Sequence, residues 1–75
     1  MNIREASEPL AVSALRQSPF SALHSLEVME EGDVIVLSGK VGSYYYKQLA
    51  QETVISVAGD REIRNNIRVH KTGHA

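Results

Sequence analysis

In the stretch Gly32-Asp33-Val34-Ile35-Val36-Leu37-Ser38-Gly39-Lys40-Val41-Gly42-Ser43-Tyr44-Tyr45-Tyr46-Lys47, the spacing of apolar residues switches at Gly42-Ser43. Before that point the period is two, which puts Ile35, Leu37, Gly39 and Val41 on one face of a strand and Val34, Val36, Ser38 and Lys40 on the other. Both faces are apolar at the start of the run, as expected of a central strand or of one whose second face meets something else. After it the period becomes helical. Ser43 is placed as N-cap of a helix from Tyr44 to about Val57, with Tyr46, Leu49, Ala50, Thr53, Val54 and Val57 as its inner stripe and Gly59 as its stop.

Working outward, the alternation of Leu26 and Val28 with Ser25 and Glu27 predicts a strand over Leu23 to Met29. Glu30-Glu31-Gly32-Asp33 is its turn into an antiparallel partner. Past Gly59, Ile63, Asn65, Ile67 and Val69 alternate with Glu62, Arg64, Asn66, Arg68 and His70, a third strand with one polar, basic face. Near the start, Ser7 to Gln17 reads as a short helix with Ser7 as cap and Pro9 in its first turn. Ala11, Val12 and Leu15 are its buried face, and Ser18-Pro19 ends it. Lys71 to Ala75 reads as a frayed tail. The order helix, strand, strand, helix, strand, with a right-handed crossover making the last two strands parallel, predicts an α+β fold. It is a small α-β-β-α-β sandwich, a mixed three-stranded sheet with two helices on one face, forming one domain over residues 1–75 whose core spans about residues 7–70.

Seventy-five residues give a small core, and such chains reach roughly 3 to 5 kcal/mol of stability without added staples. Cysteine is absent and the histidines are His24, His70 and His74, too far apart in sequence to suggest a structural zinc site. No cofactor or metal is expected. Eight basic against nine acidic residues leave a formal charge of −1, which argues against bulk nucleic-acid binding. No apolar run approaches the ~20 residues of a membrane span, and Met1-Asn2-Ile3-Arg4-Glu5 lacks the order of a signal peptide. As written, the chain reads as cytoplasmic; envelope association would follow if it is a fragment.

Two surfaces stand out. Only Tyr46 of the three tyrosines belongs to the inner stripe, so Tyr44 and Tyr45, with Lys40, Ser43 and Lys47, form a candidate contact for a lipid headgroup or membrane surface. Alternatively, Ser43 is only a cap and the rings cover the sheet edge. On the sheet's open face, Val34 and Val36 beside Arg64 and Arg68 form a candidate protein partner face, homo-oligomerisation included; alternatively, the arginines pair with Glu27 or Glu62 across strands. Gly39-Lys40-Val41-Gly42 has the GxxG form that clamps nucleic-acid backbones, but it lies between a strand and a helix and commits Val41 to the core. Inward Asn65 needs buried partners and is expected to tie the last strand to the turn after Gly59. No Ser/His/Asp set, carboxylate pair or phosphate loop suggests catalysis.

The residues Leu26-Glu27-Val28, Gly32, Ile35 to Val41, Ser43, Leu49-Ala50, Gly59 and Ile63 to Val69 together resemble a BON domain, the bacterial module named after osmotic-stress and nodulation proteins. The resemblance spans Leu15 to Val69 and rests on the order of these motifs. It implies a non-catalytic module that binds phospholipid membranes or envelope components. The pattern departs at Asp60, where the resemblance implies an apolar residue, so that docking contact is expected to be lost or replaced.

Overall fold

The computed structural model describes residues 10–70. Helix α1 (Leu10–Arg16) leads through a 3-10 turn (Ser21–Leu23) into strands β1 (Glu27–Glu31), β2 (Val34–Ser38) and β3 (Lys40–Val41). Helix α2 (Tyr44–Ala58) follows, then β4 (Glu62–Asn65) and β5 (Arg68–Val69). The sheet order is β1-β2-β4, antiparallel then parallel, so β2 is central and the sheet is mixed, as its two-faced apolar pattern predicted. Ala11 and Leu15 of α1 and Ala50, Val54 and Ala58 of α2 share one core with Ile35, Leu37, Val41 and Ile67. The expected Ser7 cap, Pro9 and the 71–75 tail lie outside the described residues.

Two expected strands differ in detail. The predicted run Val34 to Val41 is interrupted at Gly39, and the run after Arg61 at Asn66 and Ile67. No register is lost: every residue from Val34 to Val41 that has a parallel partner finds it 28 positions on, Val34 opposite Glu62 and Val41 opposite Val69 (62 − 34 = 69 − 41 = 28). Gly39 has φ +127°, and a Cβ there would lie 2.8 Å from Leu26 Cδ2. The buried Leu26 side chain thus lies over a position that only glycine fits.

The first strand also starts later than its alternation suggested. Leu23 is fully buried, but it closes the 3-10 turn through its N–H to the Phe20 carbonyl (3.0 Å), while Leu26 N–H reaches the Leu23 carbonyl at 3.4 Å. Leu23 and Leu26 are three apart, a spacing that suits a turn better than a strand. At the other end β1 continues through Glu31, which pairs with Val34. The hairpin turn is therefore only Gly32-Asp33, with Gly32 at φ +56°, a two-residue loop that starts in the left-handed region.

Candidate functional site

The second helix begins where Ser43, extended at φ −158° and ψ 159°, accepts the Tyr46 N–H on its hydroxyl oxygen at 3.3 Å. Its carbonyl takes the Lys47 N–H at 3.2 Å. Ser43 therefore serves as the cap expected of it. Helical spacing turns Tyr46 to the core and leaves Tyr44 and Tyr45 outside, 68% and 62% exposed.

Phe20, which no periodicity or motif singles out, joins them. Its ring lies 6.3 Å from Tyr45 and 6.1 Å from Tyr46, and the two tyrosines are 5.4 Å apart, each pair tilted or edge-on as aromatic quadrupoles prefer. The loop that presents Phe20 is held by its own N–H on the Ser18 hydroxyl (3.1 Å) and by His24 Nε2 at 2.7 Å from the Ser18 carbonyl oxygen. On the other side, Lys47 Nζ sits 5.8 Å from the centroid of the Tyr44 ring, within cation–π reach.

A groove separates this helix start from the last strands, lined by Tyr44, Lys47, Asn65, Asn66, Ile67, Arg68 and Val69. It brings Arg68, which the alternation pattern assigned to a separate surface, beside Tyr44 and Lys47. Lys40 is the β3 neighbour of Arg68. Three cations thus gather at one end of the fold, and among the described residues none of them makes a salt bridge. Val34, Val36 and Arg64 lie apart from this groove, on the open face, where Met29, Val36 and Arg64 form one cross-strand row. Arg64 there pairs with Glu62 of its own strand at 3.0 Å.

Asn65 ties the groove wall together, though not to the turn after Gly59. Its amide donates to the Lys47 carbonyl at 3.0 Å and to Gln51 Oε1 at 3.1 Å, and its oxygen accepts the Ile67 N–H at 3.2 Å. It joins α2 to the break between β4 and β5. Asn65→Ala removes all three bonds from a half-buried site and is expected to lower stability by about 1–3 kcal/mol in urea unfolding. Asn65→Asp keeps the acceptor but sets an oxygen against the Lys47 carbonyl, so it should rescue nothing.

The turn after Gly59 is secured by Arg61 instead. Its N–H and Nε–H both donate to the Ala58 carbonyl, at 3.3 and 3.1 Å, and its guanidinium binds Glu30 at 2.6 Å. With Asp60 exposed, this polar latch stands where the motif would place an apolar contact.

Among the described residues no helix is long and apolar enough to cross a membrane, and no group of three His, Asp or Glu is placed to hold a metal. Compared with known proteins, residues 12–71 match the family model described as BON domain. Among curated proteins none matches the chain.

Proposed function

The chain belongs to the BON domain family, and from that premise we propose that it is a non-catalytic binding module that rests on a phospholipid membrane surface. The contact is made by the end of the fold carrying Tyr44, Tyr45, Lys40, Lys47 and Arg68. One observation carries the reading: Tyr44 and its neighbour Tyr45 are both more than 60% exposed, and Tyr44 shares a groove with Lys47 and Arg68, cations that with Lys40 make no salt bridge among the described residues. Such rings place an apolar body and a polar hydroxyl at headgroup level. Cations beside them gain about 1 kcal/mol each near an anionic surface.

Vesicle co-sedimentation tests the contact. The protein is expected to pellet with vesicles of phosphatidylglycerol and phosphatidylcholine, less so in high salt. Removing about 40 Å² of buried ring surface in each of Tyr44→Ala and Tyr45→Ala is worth ~1 kcal/mol per ring, so the double variant should bind roughly thirtyfold more weakly. Failure of the unaltered protein to bind either anionic or zwitterionic vesicles would remove the proposal.

A second reading, a protein-interaction face around Val34, Val36, Arg64 and Arg68, is supported by Met29. This residue is 58% exposed on the open face next to Val36.

A further inference from the structure

The sheet ends in two edges of opposite charge. The β1 edge carries Glu27, Glu30 and Glu31 and no base, whereas the β4–β5 edge carries Glu62, Arg64 and Arg68, a net positive set whose Arg68 also lines the groove beside Tyr44 and Lys47. Among the described residues Glu27, Glu31 and Arg68 make no salt bridge, and no strand pairs with the far side of either edge. A groove lined by Val12, Arg16, Leu26, Glu27, Val28 and Met29 runs along β1, and the groove at Asn66 to Val69 flanks the other edge.

Backbone direction matches as well. In a hairpin closed by Gly32-Asp33, Glu31 and Val34 exchange hydrogen bonds, so the amides of Val28 and Glu30 face away from β2. On the far edge, the N–H groups of Glu62, Asn66, Arg68 and His70 donate inward to Asp33, Leu37, Gly39 and Val41. Those of Ile63, Asn65 and Val69 face out, while that of Ile67 is taken by its neighbour Asn65.

We propose that copies of this chain associate edge to edge, β1 of one copy adding antiparallel to β4–β5 of the next, so that one sheet runs through successive molecules. The register follows from charge and parity. Met29 of one copy opposite Asn66 of the next sets Glu27 against Arg68 and brings Glu31 to Arg64 on the open face, where it shares that guanidinium with the exposed Glu62 of the same strand. On the inner face Val28 falls opposite Ile67, which is buried in its own core, and the outward amides of Glu30 and Asn65 face each other. A shift by two residues in one direction sets Glu31 against Glu62, and in the other direction both opposite-charge pairs are lost. Pairing of two β1 edges puts Glu27 against Glu31 of the second copy, like charges that oppose it. Pairing of two β4 edges sets Glu62 against Arg68 but leaves the acidic β1 edge bare. The contact is thus head-to-tail, and it does not close at two copies.

Sedimentation velocity over a range of concentrations tests this, with circular dichroism confirming that each variant folds. At low salt the average mass is expected to rise past the dimer with concentration and to fall toward the monomer in high salt. Glu27→Arg with Glu31→Arg makes both edges basic, and Arg64→Glu with Arg68→Glu makes both acidic. Each double variant alone should associate roughly tenfold or more weakly, and an equimolar mixture of the two should restore assembly. A protein that stays monomeric at low salt, growth that stops at the dimer, or a mixture that does not reassemble would each overturn the proposal.

Discussion

Leu37→Ala is expected to unfold a large fraction of the protein at room temperature. Leu37 has no solvent exposure and lies in the middle of the central strand, flanked by Val28 on one side and Asn65 on the other. Truncating a leucine enclosed on all sides removes its transfer energy and leaves a cavity, together about 2–5 kcal/mol. A domain of this size holds roughly 3–5 kcal/mol in all. Circular dichroism without denaturant should therefore show much of the helical signal gone. Val36, one residue back, is the control: it points to the open face, is half-buried, and as alanine should cost about 1 kcal/mol or less. Equal losses at the two positions would mean that the strand's two faces are not as different as the burial pattern makes them.

Gly39→Ala is the second large effect, through a different mechanism. The new methyl would sit 2.8 Å from Leu26 Cδ2 and 3.5 Å from Leu26 Cα, on a backbone at φ +127°. The leucine cannot swing away freely, because it is itself buried at 9% exposure. Strain and overpacking together are worth about 2–4 kcal/mol. With a urea dependence near 1 kcal/mol/M for so small a domain, the unfolding midpoint should drop by ~2 M or more. The other glycines calibrate the result. Gly32 has positive φ but open space around a Cβ, and Gly42 has neither constraint, so their alanine variants should fall in the order Gly39, Gly32, Gly42 from most to least damaging. Gly39→Ala with native stability would show that the close approach of Leu26 is not a feature of the folded protein.

Much of this architecture was legible in the sequence, because strands and helices write their burial into periodicity. Ile35, Leu37 and Val41 alternate to the core as their spacing required. Ile63, Ile67 and Val69 do the same in the partner strand, and Ser43 and Gly59 bound the helix as cap and stop. What could not be read depends on contacts between residues distant in sequence. Leu23 reaches the core from a 3-10 turn, which apolar character alone does not distinguish from a strand start. Asn65 was readable as a buried amide in need of partners, but not as one that reaches Lys47 and Gln51 across the crossover. Phe20 joins Tyr45, and Arg68 joins Lys47, only once the chain has folded back on itself. The acidic sign of β1 and the basic residues Arg64 and Arg68, set against Glu62 on the far edge, were present in the composition of the strands. They gain meaning only when the strand order makes those strands the outer ones.

The parallel pairing of β2 with β4, 28 positions apart throughout, also fixes the order in which the structure can be completed. The β1–β2 hairpin closes over two residues and the helix forms from neighbours in sequence, both inexpensive loop closures. The last strand must wait for the whole crossover. The core therefore lacks Ile67, and the groove lacks one wall, until residues near 69 have docked. A chain without its last strand would hold a hairpin and a helix with Leu37 uncovered on one side, which makes docking of the final strand the step that separates a sticky intermediate from a finished domain.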